Sequence, residues 1–360
     1  MFRMKCLVRD HQKGLELLST ILRKADVTDA ERIRAVVNDL ISDYESNVSS
    51  SGQLYAAQHA SSHFSVLLKQ NESWNGIAQW LYLRQIDLDD DAAVQRLGKS
   101  LESLRDKLAD RDRFILHVCT DEEYLQEMER QLKLFVETFS CSTGVQRTET
   151  DEWEAQVPEL PGHIELFTLP SSVSYSALVC RAAEPMSVLQ THQTVLAHII
   201  TTEHLWEQVR GIGGAYGVSA HIDMLERLCV FSSYRDPRIE GTLQDFVSVL
   251  KRIVREGVSQ KSVDSAIVSI ISRELRPLYP KNASIIAFRR ALYGISDTFR
   301  AERRSWTLET TSEDIRHAAQ SILDSIEAGS AMAVVTGSEL LEREAQLSER
   351  LRTSPITLPL

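Results

Sequence analysis

The sequence predicts an α+β fold in two units, and three observations carry that prediction. Strand pairs are followed by runs of helix instead of alternating strictly as βαβ, which points to helices layered on a mixed or antiparallel sheet. Apolar periodicity is helical through residue 140 and changes character beyond residue 162. The 360 residues are 43% hydrophobic and 25% charged, an ordinary globular composition with length for about two domains.

Residues 1–140 form the first, helix-rich unit. The apolar stretch Phe2 to Val8 reads as a strand, and Gly14 to Leu22 is apolar at helical spacing. Thr28-Asp-Ala-Glu31 has the form of a capping box, opening a helix to about Ser49. Gly52 breaks the pattern, after which Gln53 to Phe64 and residues 73–84 and 92–109 read as further helices. Arg113 to Cys119 is a compact apolar strand, and Thr120-Asp-Glu-Glu123 is a second capping box opening a helix to about Phe139. With only one strand before its first helix, this unit is expected to be truncated at its N-terminus, with sheet surface left uncovered.

A linker, residues 141–162, contains Pro158 and Pro161. The second unit, 163–360, opens with strands at His163 to Thr168 and Val173 to Cys180. A long helix follows, with Pro185 at its start and apolar residues from Val188 to Val209. Strands near 217–223 and 227–234 precede helices near 242–257, 260–275, 283–295 and 312–327. Ala331 to Thr336 is the last strand, before a polar helix and a Pro-rich tail. These helices are expected on one face of the sheet.

Forty Lys+Arg against 51 Asp+Glu leave a formal charge of −11, which repels phosphate backbones and argues against nucleic acid as a partner. No run of about 18 apolar residues is present, so no membrane span is expected. Cys6, Cys119, Cys141, Cys180 and Cys229 form no CxxC and read as buried or idle thiols of a reducing compartment. Met1 to Asp10 is too short and charged for a signal-peptide core.

The most informative segment is Leu205-Trp-Glu-Gln-Val-Arg-Gly-Ile-Gly-Gly-Ala-Tyr-Gly217. A dinucleotide loop must follow a strand, whereas these glycines follow a helix at the wrong spacing. Arg210 falls in the last helical turn, and Gly211 is placed for a left-handed C-cap. Gly213 and Gly214 let the backbone lie close to a neighbour, and Tyr216 begins the next strand. Taken alone, the segment reads as a capped helix with a dipole-complementing Arg and a core Tyr.

No self-contained catalytic or metal-binding set is apparent. H-x-x-E-H, H-E-x-x-H and G-x-S-x-G are all absent. His59-Ala-Ser-Ser-His63 has the i,i+4 spacing of two ligands, but Ser stands where the general-base Glu belongs, so it reads as a helix face. His192, His198 and His204 recur every six residues and do not share one face closely. Asp121, Glu122 and Glu123 read as first-turn residues, and Asp87 to Asp91 as a solvated loop.

Several segments together resemble one family. Leu205 to Gly217, Phe231-Ser-Ser-Tyr-Arg-Asp-Pro237 with Thr242-Leu-Gln-Asp-Phe246, and Arg290-Ala-Leu-Tyr-Gly-Ile-Ser-Asp297 are similar to the C-terminal half of the presequence proteases. These are a single-chain branch of the pitrilysin–insulinase zinc metallopeptidases. Ser51-Gly-Gln-Leu-Tyr-Ala-Ala57 resembles part of their third domain. The resemblance implies two α/β-roll units of the pitrilysin–insulinase type, 1–140 being the remnant of the third and 163–360 the fourth. It implies that zinc and its H-x-x-E-H ligands belong to the N-terminal half, with no cofactor in this chain. Arg210 and Tyr216 map onto an Arg and a Tyr that hold the substrate backbone beside the metal, with Gly213 and Gly214 shaping their loop. Gly211-Ile212 depart from the polar residues the family often carries after that Arg.

The chain is thus expected to be the non-metal-binding half of a zinc metalloendopeptidase that degrades short unstructured peptides. Its partners are peptide substrates and a zinc-bearing N-terminal half, in cis or in trans, with no nucleic acid and no membrane. The alternatives are a non-catalytic subunit paired with a separate zinc-bearing chain, or a stand-alone peptide-binding or scaffold module. The expected location is the mitochondrial matrix or chloroplast stroma in a eukaryote and the cytoplasm in a bacterium. Because Arg210 and Tyr216 can only assist chemistry started elsewhere, the 360-residue chain alone is expected to leave a fluorogenic peptide intact. Release of fluorescence that chelation abolishes would refute that expectation.

Overall fold

Strand Tyr175-Ser-Ala-Leu-Val-Cys-Arg181 has six consecutive buried residues, so neither of its faces meets water. It is central to the computed structural model, which describes residues 2–141, 160, 164–344 and 355–358. Apart from Cys141 and Leu160, the expected linker lies outside the described residues, as does much of the tail.

The sheet comprises β1 (Ile164–Thr168), β2 (Tyr175–Arg181), β3 (Gly217–Asp223), β4 (Leu228–Tyr234), β5 (Ser330–Thr336) and the short β6 (Ile356–Thr357). Their order is β3-β4-β2-β5-β1-β6. The β1 pairings with β5 and β6 are parallel and the others antiparallel, giving the expected mixed sheet. Alternate side chains point to opposite faces. Leu166, Leu178, Phe231 and Val334 join a layer with Val195, Leu196, Phe246, Leu250, Ile315 and Ile322 from helices Val188–Ile199, Glu240–Glu256 and Ser312–Ala328. Phe167, Tyr175, Val179, Val230 and Val335 join a second layer with Val48, Ala56, Ala60, Phe64, Ile77 and Trp80. The three helices of the first layer thus share one face, as expected for the second unit. Residues within 41–84 cover the other face, because strands this apolar need cover on both.

The compact units are accordingly interleaved along the chain. One comprises Ile41–Arg84, Thr150–Pro277 and Ile295–Leu360, and the other Met1–Leu40, Gln85–Glu149 and Leu278–Gly294. The consecutive division at 1–140 and 163–360 thus differs from the packing at residues 41–84 and 278–294.

Within the smaller unit, Leu15, Phe135 and Phe139 form a core with Leu18, Leu22 and Phe114. No strand is found among its described residues, whose one isolated bridge pairs Asp110 with Ser140. The strands expected at 2–8 and 113–119 have no ladder partner among the described residues, and Phe2, Leu7, Ile115 and Leu116 are exposed. Thr28 also departs from expectation, since its hydroxyl and amide both donate to Asp26 Oδ1, at 2.7 and 2.9 Å. Asp29 takes over, accepting from the Arg32 amide at 3.0 Å. Asp121, with no side-chain cap bond, precedes helix Glu122–Glu137 where the second capping box was expected.

In the larger unit the capping box that forms is Thr311 with Asp314. The break expected at Gly52 falls at Ser51, where φ is −138° and ψ 34°. A Cβ on Gly52 would lie 2.5 Å from the Tyr175 ring, whose hydroxyl donates to Ser49 O at 2.6 Å. Cys180 and Cys229, distant in sequence, are register partners across β2 and β4. A hydrogen bond with Cys180, together with burial, pushes the Cys229 thiol well up. No helix among the described residues is long and apolar enough to cross a membrane.

Trp80 is fully buried beneath the sheet and stacks on Tyr44 with ring centroids 6.5 Å apart, whereas Trp74 is 63% exposed. Trp80→Ala is expected to lower unfolding free energy by about 3–5 kcal/mol in urea titrations. Trp74→Ala should stay within about 0.5 kcal/mol of the parent. Equal effects would refute the packing assignment.

Candidate functional site

Helix Val188–Ile199 continues through π-helical turns at Ile200–His204 and Trp206–Ile212. The Gly213 amide donates to Gln208 O at 2.9 Å, five residues back. Such widened turns are rare and concentrate at functional sites. The helix stops at Gly214, whose φ of +84° is left-handed and whose amide donates to Arg210 O at 3.2 Å. The left-handed cap is thus Gly214 and not Gly211, because the π-turns carry the helix on through Ile212. Gly213 is required for space. A Cβ there would lie 1.9 Å from the Arg238 guanidinium and 2.6 Å from Val209 O.

This arrangement sets Arg210 and Tyr216 side by side. The Arg210 guanidinium carbon lies 5.6 Å from the Trp206 ring and 5.8 Å from the Tyr216 ring. Tyr216 stands just before β3, its amide donating to Arg235 O at 3.2 Å. Its ring meets Tyr234 edge-on at 5.6 Å and is 67% exposed, which corrects the reading as a core Tyr. Neither the Arg210 guanidinium nor the Tyr216 hydroxyl has a hydrogen-bond or ion-pair partner among the described residues.

The segment after β4 holds this loop in place. Asp236 is fully buried, exchanges backbone hydrogen bonds with Ser174, and accepts from Thr242 Oγ1 at 2.7 Å and the Arg238 amide at 3.0 Å. Burial pushes its carboxyl above the ordinary range, against these hydrogen bonds. Arg238, which packs over Gly213, is tied to Asp245 at 2.9 Å.

A second polar cluster lies where β1 meets the end of helix Ala30–Ser61. His63 Nε2 is 2.6 Å from Glu165 Oε2, and His59 Nε2 is 3.1 Å from the same oxygen. His59 Nδ1 lies 3.0 Å from Glu72 Oε1, and its ring meets Phe167 edge-on at 4.7 Å. Burial opposes charge on His59, but the Glu165 and Glu72 carboxylates outweigh it and push its pKa up to about 9. Burial likewise works against the Glu165 carboxylate, yet the two imidazoles pull it down to about 2. The sequence showed the i,i+4 histidines. It held no signal for Glu165, which lies 102 residues beyond His63.

Residues 164–339 match the family model described as PreP C-terminal domain, and residues 1–86 match the model for the segment associated with M16 peptidases of subfamily C. The mitochondrial presequence protease of Eremothecium gossypii is 26% identical over 86% of this chain and 31% of its own length. Presequence protease 1, chloroplastic/mitochondrial, of Arabidopsis thaliana is 24% identical over 90% of this chain and 29% of its own. A solved peptidase M16 inactive domain from Pseudomonas fluorescens shares the fold, with a TM-score of 0.58 and 13% identity over 92% of this chain and 76% of that one. The chain spans about a third of the length of the curated relatives it matches. It lies within the C-terminal half of an M16 presequence-protease-like protein.

The loop geometry separates two neighbouring glycines. Gly213→Ala should lower stability by about 1–3 kcal/mol, because the Val209 carbonyl cannot move aside cheaply. Gly211→Ala, whose Cβ would meet only Trp206 O at 3.6 Å, should leave stability unchanged or raise it by up to about 1 kcal/mol. Thermal unfolding of the two variants checks the assignment, and the reverse order would refute it.

Proposed function

We propose that this C-terminal half of a presequence-protease-like protein binds the backbone of short unstructured peptides through Arg210 and Tyr216, assisting their hydrolysis at a zinc site in an N-terminal half. The observation that carries the reading is the pairing itself: two exposed donors, adjacent and without a partner among the described residues, on a loop whose glycines and buried Asp236 fix its course. The zinc, held elsewhere, supplies an activated water. This chain supplies a guanidinium and a phenol aimed at a peptide carbonyl, which stabilise the negative charge that develops there. A backbone fixed in advance makes such donors effective, because nothing has to reorganise when the charge appears. The N-terminal half is joined in cis or docks in trans. The reaction belongs to the mitochondrial matrix or chloroplast stroma, a reading supported by relatives named as mitochondrial and chloroplastic.

The reading is tested in the protein assembled with its zinc-bearing half. Tyr216→Phe is expected to lower kcat/KM by roughly ten- to a thousandfold with thermal unfolding nearly unchanged. Arg210→Ala should cost at least as much, since a charged donor is the stronger one. If both hold one stretch of backbone, the double variant should be less impaired than the summed single effects. Wild-type turnover per folded molecule in both single variants would return the two residues to cap and surface roles.

A further inference from the structure

We propose that His59, His63 and Glu165 form a binding site for one divalent transition-metal ion of the zinc class, with Glu72 holding His59 from behind. This inference does not depend on the peptide-binding role of Arg210 and Tyr216. It departs from the sequence reading, which took the histidine pair as a helix face because Ser62 stands at the general-base position, and assigned no metal ligand to this chain.

Four observations carry it. His59 lies in the last turn of helix Ala30–Ser61 and His63 in the turn just after it, and β1 brings a carboxylate to them, so that three donor atoms lie within 4.8 Å of one another. Ligands about 2.0–2.1 Å from a tetrahedral zinc lie about 3.3 Å apart, close to the observed 2.6 and 3.1 Å contacts to Glu165 and within the 4.8 Å that bounds the whole set. His59 Nε2 and His63 Nε2 converge on the same oxygen, yet His59 Nε2 is buried with no properly directed hydrogen bond. As lone-pair donors, the same two nitrogens converge on one point.

The surroundings also suit a ligand. Glu72 accepts from His59 Nδ1, so that an ion displacing the Nε2 proton meets a correctly oriented ring, the carboxylate–histidine arrangement typical of metal-bound imidazole. Glu72 is only 4% exposed, and its carboxylate fits because residue 76 is glycine. A Cβ there would lie 1.8 Å from Glu72 Oε2. The Ala78 amide donates to Glu72 Oε1 at 3.2 Å, and Phe167 backs the His59 ring.

The donor set is two neutral nitrogens and one carboxylate, which suits zinc and its neighbours better than calcium or magnesium. Ser62 stands before His63 where a hydrolytic general base would be needed, and Glu72 is already engaged. The site therefore ties helix Ala30–Ser61 to β1 and performs no hydrolysis.

The test uses the 360-residue chain, stripped with chelator, given zinc alone and freed of excess by gel filtration. One retained equivalent and a raised Tm are expected, both lost in Glu165→Gln and in His63→Ala. Glu72→Gln should weaken zinc affinity by about 10–100-fold without abolishing it. Cobalt(II) probes the unsubstituted chain: an intense visible d–d spectrum of a four-coordinate ion, displaced by zinc, is expected. No retained zinc, equal retention in Glu165→Gln, or only the pale spectrum of hydrated cobalt would overturn the proposal.

Discussion

Side chains of β2 alternate between two apolar layers, Leu178 and Cys180 entering one and Ala177 and Val179 the other. A central strand of this kind is stable only when both faces of its sheet are closed to water. Helices Val188–Ile199, Glu240–Glu256 and Ser312–Ala328 close one face, and residues from 41–84 close the other. The rest of the larger unit depends on that double closure, because both polar clusters hang from the sheet it stabilises. The arginine–tyrosine pair lies where helix passes into β3, and the histidine–glutamate cluster lies where β1 meets the covering helix.

The same sheet explains how an exposed loop keeps its shape. Tyr216 leans on Tyr234 at the end of β4, and its amide is held by Arg235. The next residue, Asp236, is locked to Ser174 just before β2 and to Thr242 at the start of a helix. Little of the loop's own apolar surface is buried, since Ile212 and Tyr216 are largely exposed. Its order comes from hydrogen bonds anchored in the core beneath it.

Local signals were the readable ones. Strands expected at 217–223 and 331–336 occupy 217–223 and 330–336, because their apolar runs end at clear turn residues. Arg210, Tyr216, Gly213 and Gly214 were singled out from one segment and do lie together. What failed depended on partners distant in sequence. The stretch 113–119 has strand composition but no neighbour to pair with among the described residues. Thr28 and Glu31 have capping-box spacing, yet Asp26 takes the Thr28 hydroxyl. Nothing local in β2 said that residues 41–84 supply the cover of the sheet's second face. Glu165 joined His59 and His63 for the same reason: a tertiary contact has no periodicity.

Interleaving also fixes the order of events during synthesis. Phe64, Ile77 and Trp80 leave the ribosome well before β5, whose Ala331, Ala333 and Val335 complete the layer they share. The gap between Arg84 and Ser330 is about 245 residues, roughly 12–50 s at usual elongation rates. Through that interval the layer those helices share with β1, β2 and β4 stays incomplete and partly open to water. The nascent chain is therefore a natural client for chaperones that hold hydrophobic segments, and its folding is limited by long-range closure more than by helix formation.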